Sequence, residues 1–326
     1  VIAVHHFAFD AIASPQHGDA DHPLPFTITV RALDENNNPA GLYNEFAHLT
    51  DLTGTLDLDL TDIDPDMTAA FSAGIFTGQV VIRQPIALDR ITAVDWLDPG
   101  MTGVSNDFAV IGEGDPTGDG QTNVLDVVRT VNVALETMTV SDPEFAAADV
   151  NNDAHVDILD VIIIQNIALG IGSAGGAGAM PAAKAAQAAR LAAPVVAAGK
   201  PAPAGAKKIA VPVVIDSAQG VAGFNFDLAY DSSVLSPVEV RAGALIANKP
   251  DWLVNGNLAK DPLRVLAFSN QSRALSGGSG TLVEVVFAQT GKLGKDSLRL
   301  TSTVISDTAG NALPRTLALG KTRTLK

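Results

Sequence analysis

The chain has 326 residues, a net charge of −15, 47% hydrophobic and 5% aromatic residues, and no cysteine. That hydrophobic fraction excludes wholesale disorder, the acidic balance excludes a nucleic-acid binder, which needs basic patches, and the missing cysteines exclude disulfides and thiolate chemistry. No apolar run reaches the roughly 18 residues of a membrane span, and a start at Val1 without a basic, apolar leader reads as a secreted, mature chain.

Residues 1–111 predict strands. "FTITVRAL" (Phe26–Leu33) alternates apolar and polar, and "DENNNPAG" then supplies a turn. "GTLDLDL", "FTGQVVI", "ITAVDW" and "NDFAVI" follow at the spacing of a β-sandwich. The order resembles the bacterial immunoglobulin-like domains of surface proteins. In "LDLDL" the alternation predicts that the aspartates lie on a solvated strand face. This segment carries a net −13, residues 112–170 carry −10, and residues 171–326 carry +8. Ends of opposite sign favour contact between neighbouring chains.

Between 112 and 170 the chain repeats itself. "GDPTGDGQTNVLDVV" begins at Gly114, and "ADVNNDAHVDILDVI" begins at Ala148. Asp115, Thr117, Asp119, Asn123 and Asp126 align one for one, without a gap, with Asp149, Asn151, Asp153, Asp157 and Asp160. Oxygen donors thus fall at positions 1, 3, 5, 9 and 12 of each loop, and the backbone carbonyl at position 7 belongs to Gln121 or His155. This is the spacing of a calcium-binding EF-hand loop. A tight loop turns alternate side chains to one centre, and the position-12 carboxylate comes from the first turn of the next helix. Seven carboxylates in two loops repel at a cost on the order of 1–4 kcal/mol per close pair, which a divalent ion in each loop reverses. Magnesium fits less well, because it keeps few protein ligands in near-octahedral geometry.

Position 12 is Asp in both loops and no helix is expected ahead of either. Two loop–helix units in so short a segment resemble a type I dockerin, a calcium-dependent plug of cellulosome-type assemblies. Ala154 stands where a Gly or Asn is expected at the sharp turn, and Thr117 is a weak ligand, so the two sites are expected to differ in affinity. The resemblance implies that loop positions 10 and 11 touch the partner: Val124 and Leu125 in one copy, Ile158 and Leu159 in the other. "ILDVIIIQNIALG" is apolar on more than one stripe, as an interface helix would be, though a core role for these residues is the plain alternative.

"GIGSAGGAGAMPAAKAAQAARLAAP" reads as a flexible joint followed by a short alanine-rich helix. Strands resume with "APVVAA", "KIAVPVVI", "VAGFNFDLAYD", "LRVLAFS", "TLVEVVFA", "SLRLTSTVIS" and "RTLALGKT". Their order, and the turn after Tyr230 and Asp231, resemble a cohesin, the socket that dockerins bind. The expected architecture is therefore mainly β: an immunoglobulin-like sandwich at 1–111, a small α-helical dockerin-like module at 112–170, a linker at 171–190, and a cohesin-like sandwich at 191–326. The resemblance implies two calcium ions and a cohesin-like partner on a neighbouring identical subunit, giving a fibre or surface polymer outside the cell. The alternative is a cell-surface adaptor between other cohesin and dockerin proteins, whose N-terminal domain binds carbohydrate or protein.

Other constellations are weaker. His5, His6, His17 and His22 near Asp19 and Asp21 invite a zinc reading, but histidines in a strand and polar loop are more often solvated. "DLDLTDIDPD" (57–66) is a second, fainter calcium candidate. No G-x-S-x-G, H-E-x-x-H or G-x-x-x-x-G-K-[ST] motif is present, and so few aromatics make a poor sugar cleft. No enzyme is expected. The end segments "VIAVHHFAF" and "RTLALGKTRTLK" offer a rival route to polymers by strand addition.

Overall fold

The computed structural model describes residues 4–58, 68–171, 195–294 and 296–317. The alanine-rich linker helix, most of the 57–66 acidic run and the tips of both end segments lie outside these residues. Packing divides the chain into two units. The first is residues 1–121 with 141–147, and the second is 122–140 with 148–326.

Among the described residues, the first unit is built on three short sheets. One runs β1 (His6–Phe9), β3 (Phe26–Leu33), β7 (Ile75–Ile82) and β5 (Leu56–Asp57). Another runs β10 (Thr102–Val104), β9 (Thr92–Asp95), β4 (Phe46–Thr50) and β6 (Thr68–Ala70). The third joins β2 (Gln16–His17), β11 (Phe108–Ile111) and β8 (Ile86–Asp89). The alternation in β3 places Ile28, Val30 and Ala32 inward, where they share one core with Phe7, Leu49, Ile82, Ile91 and Phe108.

Three expectations change here. Asp57 is not on a solvated face: it is fully buried and holds the Arg83 guanidinium at 3.0 Å. A buried carboxylate needs such a partner, and period-2 alternation within one strand does not reveal a cation that follows another. His17 is buried too, because β2 joins the third sheet in parallel with β11. A helix does precede the second acidic loop, α2 (Asp142–Ala148). Its start is a Ser-x-x-Glu signal: the Glu144 carboxylate accepts from both the amide and the hydroxyl of Ser141, at 2.8 Å each.

Among the described residues, the second unit is a two-sheet sandwich plus two helices, α1 (Val124–Ala134) and α3 (Ile158–Ala168). One sheet runs β16 (Leu235–Ala242), β19 (Gly280–Gln289), β14 (Lys208–Ile215), β12 (Val195–Ala198) and β21 (Thr316–Leu317), with β13 (Ala202–Pro203) on β14. The other runs β17 (Trp252–Asn257), β18 (Leu263–Ser269), β15 (Gly223–Tyr230) and β20 (Leu298–Ser306). Phe224, Phe226 and Leu228 point from β15 into the core with Val211, Val213, Val283 and Phe287. The alternate residues Gly223, Asn225 and Asp227 should face water, yet they are buried as well. A central strand buried on both faces needs a cover on its outer side.

Candidate functional site

The two acidic loops fold alike. In the first, the Asp115 carboxylate accepts from the amides of Gly118, Asp119 and Gly120 at 2.8, 3.2 and 2.8 Å. In the second, Asp149 accepts from the amides of Asp153 and Ala154 at 3.2 and 2.9 Å. Asp119 accepts from the Gln121 amide, and Asp153 from the His155 amide, both at 2.9 Å. Asn151 accepts from the Asp153 amide at 3.0 Å, and the Thr117 hydroxyl donates to Asp115 at 3.1 Å. Each loop ends in a capping box. Asn123 caps α1 and Asp126 reaches back to the Asn123 amide, while Asp157 and Asp160 do the same for α3. The position-12 carboxylate therefore does two jobs, one toward the loop centre and one at the helix start.

Asp115, Asp126, Asp149 and Asp160 are buried. Burial pushes the Asp160 carboxyl up to about 8, with Asp157 and Asp149 adding repulsion against the amides that stabilise its charge. Burial also raises Asp149 and Asp157. Crowded, desolvated carboxylates with only oxygen donors around them are what a hard divalent cation requires, and the donor set fits calcium. The copies differ at position 6. Gly120 and Ala154 both have positive φ, 83° and 65°, and an alanine there is strained by roughly 1 kcal/mol.

The cover on β15 is α3. A Cβ built on Gly223 would stand 2.7 Å from Cγ1 of Ile158, and one on Gly310 would collide with Cγ1 of Ile163. Both glycines are needed for the helix to lie this close. Around the apolar contact, the Ile158 amide donates to Oδ1 of Asn225 at 3.4 Å. Gln165 donates to the Ser269 carbonyl at 3.0 Å and to Oγ of Ser272 at 2.9 Å. Asn166 donates to the Thr308 carbonyl at 2.9 Å. The C-terminal end of α1 is held too, with Asn257 donating to the Leu135 carbonyl at 2.9 Å. Arg264 forks onto Asp227 at 2.8 and 2.9 Å and reaches Glu136 at 2.6 Å, and Lys260 also pairs with Glu136.

The expected partner residues part company. Ile158 and Leu159 are buried, with Ile158 at 0% exposure against the sheet. Their counterparts Val124 and Leu125 lie open, Val124 at 67%. Sequence reasoning missed the sheet side of the contact. The available signal was Asn225 and Asp227 at outward positions in a strand otherwise apolar enough for a core.

Comparison with known families places these features. Residues 113–169 match the dockerin type I domain, and residues 195–321 match the cohesin domain. No curated protein matches the chain. Solved structures similar to it include a non-cellulosomal cohesin from Archaeoglobus fulgidus, at 27% identity, covering 39% of this chain and 86% of that one, with a TM-score of 0.31. A scaffoldin cohesin from Acetivibrio cellulolyticus in complex with a dockerin is 16% identical, covering 40% and 96%, with a TM-score of 0.33. A type I cohesin–dockerin complex from Clostridium thermocellum is 19% identical, covering 40% and 96%, with a TM-score of 0.33. Type I dockerins typically bind calcium. The chain thus carries a type I dockerin domain and a cohesin domain, non-catalytic modules of calcium-dependent protein–protein assembly.

Proposed function

We propose that this chain is an extracellular assembly subunit whose dockerin, loaded with two calcium ions, pairs with a cohesin of an identical chain, head to tail. The working division is a sandwich at 1–111, the dockerin at 112–170, a linker at 171–190 and the cohesin at 191–326. The first ion takes Asp115, Thr117, Asp119, Asn123, Asp126 and the Gln121 carbonyl. The second takes Asp149, Asn151, Asp153, Asp157, Asp160 and the His155 carbonyl. Calcium supplies the positive charge that lets these carboxylates share a loop, and the loops then hold α1 and α3 in their paired arrangement.

The observation that carries the reading is the seat of α3 on β15, β18 and β20, since it gives plug and socket on one chain. The same surfaces meet whether the dockerin comes from its own chain or from a neighbour. A dockerin and a cohesin carried on one chain meet at an effective concentration on the order of mM. Closure within one chain therefore dominates in dilute solution, and exchange between chains takes over as concentration rises. A contact between two different patches propagates unless the rotation closes a ring. The extracellular setting follows the usual location of cohesin–dockerin proteins, and no described helix is long and apolar enough to cross a membrane.

Light scattering across a concentration series tests this. With calcium, mass should grow from monomer toward polymer as concentration approaches the mM range, and chelator should return it to monomer. A mass fixed at monomer throughout would rule out head-to-tail exchange. The adaptor reading is favoured by one feature, the open Val124, Leu125 and Val128 on α1. A calcium-loaded monomer that binds an added cohesin through that face would support it instead.

A further inference from the structure

We propose that the cohesin sheet of this chain takes its dockerin in one orientation only, and that Glu136, at the tip of α1, selects that orientation by pairing with Lys260 and Arg264. The inference rests on the pairing proposed above. It arises from the repeat: α1 with its cap Leu135 and α3 with its cap Leu169 have the same length and occupy the same place in the two copies. A sheet that read only the shared features would seat either helix. Two positions along the helices oppose the exchange. Ile163 is buried and packs on Gly310, where an added Cβ would stand 2.4 Å from its Cγ1. The matching residue of α1 is Arg129, whose charge would be driven into a dry contact. Gln165 is buried and donates to the Ser269 carbonyl and to Oγ of Ser272, at 3.0 and 2.9 Å. Its counterpart, Val131, has no such donor.

A third position carries the selection. Glu136 and Gly170 each follow the cap of their helix at positive φ, 55° and 69°. Glycine adopts this conformation freely, whereas an L side chain is strained there. A glutamate held against that strain points to a role for its side chain. Its Oε1 lies 2.6 Å from Nη1 of Arg264, and its Oε2 pairs with Lys260. Arg264 is aimed by its fork onto Asp227 and donates as well to the Ala134 carbonyl at 3.3 Å. Asn257 donates to the carbonyls of Leu135 and Glu136 at 2.9 and 3.2 Å. Donors and cations of the cohesin thus meet the negative end of α1. With the copies exchanged, Gly170 would take this place. The sequence after it holds no carboxylate before Asp216, so Lys260 would face none from that end of the plug. A single orientation gives every contact between neighbouring chains the same rotation, as a regular polymer or a closed ring requires. It also makes this cohesin prefer a dockerin with a carboxylate at this tip, and a second copy of this chain supplies one.

The test is zero-length carbodiimide coupling of the full, dilute, calcium-loaded chain, read by peptide mass mapping, with small-angle scattering to show whether the chain is closed. A closed chain should carry an amide between Lys260 and the Glu136 side chain. Glu136→Lys should lower the dockerin melting transition in calcium by roughly 3–6 °C. Adding Lys260→Glu to that variant should recover at least half of the loss, a rescue that a merely structural role for Glu136 would not allow. A closed chain without the Lys260–Glu136 amide would overturn the single orientation and leave the pairing itself standing. A loss that Lys260→Glu fails to reverse would overturn the selecting role of Glu136. An open chain would overturn the pairing and this inference together.

Discussion

Chelating calcium should strip protection from residues 113–169 while both β-sandwiches keep theirs. In the proposed sites seven loop carboxylates rely on the ions, and Asp126 and Asp160, both fully buried, also cap the helices that follow. Losing the ion therefore loosens the loop and the helix start together. At a calcium concentration a hundredfold above the dissociation constant, each site adds about 2.7 kcal/mol to the folded state. Two sites make roughly 5 kcal/mol, enough to separate a dockerin melting transition from that of the sandwiches. Asp153→Ala should reproduce one loop's share. Asp160→Ala should cost roughly 1 kcal/mol more, because it also removes half of the α3 capping box. Calorimetry and limited proteolysis with and without chelator read both effects. Unchanged melting and unchanged cleavage between 113 and 169 would contradict the calcium assignment.

Ile158→Asp should open the chain, and Val124→Asp should not, although the two residues are equivalent in the repeat. Ile158 is sealed against Gly223 and the sheet, so the substitution forfeits about 2–3 kcal/mol of apolar burial. It also leaves an unpaired carboxylate in a dry contact next to Asp157, at a further cost of several kcal/mol. A single helix seated on a sheet does not survive that loss. Val124 projects into solvent, and its replacement should stay within about 0.5 kcal/mol of neutral. Gly223→Val attacks the same contact from the other side, since its first side-chain carbon already collides with Ile158. Small-angle scattering in dilute, calcium-loaded solution should show a larger radius of gyration for Ile158→Asp and Gly223→Val, and an unchanged one for Val124→Asp. Equal behaviour of all three would mean that the seat is not occupied in solution.

What the sequence discloses is mostly local. The repeated loops are legible because their residues are fixed by spacing within a single loop, and the second copy repeats them in register. Most strands of the C-terminal sandwich are legible because apolar runs and turn residues alternate, but β16 and β17, edge strands with polar and charged residues among the apolar ones, are not. Features set by distant partners are not. Asp57 reads as solvated because its own strand gives no sign of Arg83, the cation beyond β7 that permits its burial. The α2 helix escapes notice although Ser141 and Glu144 announce it, since an alanine-rich stretch without an apolar stripe does not stand out. The asymmetry between Val124 and Ile158 leaves no trace in the loops themselves; its one local sign is that the helix after Ile158 is apolar on more than one stripe. Both occupy loop position 10, and only the tertiary seat makes one buried and the other open.

A disulfide trap tests the pairing most directly. The chain has no cysteine, so any crosslink must come from introduced residues. A Cβ built at 223 would stand 2.7 Å from Cγ1 of Ile158, which leaves the two Cβ atoms no more than about 4.2 Å apart, inside the roughly 3.5–4.5 Å disulfide range. The double variant Gly223→Cys, Ile158→Cys, oxidised in calcium, should form the bond nearly completely. On a non-reducing gel it should run as a closed monomer when dilute and as a ladder when concentrated. Chelator added before oxidation should abolish both products. Free thiols that persist in calcium at every concentration would contradict the dockerin–cohesin contact itself.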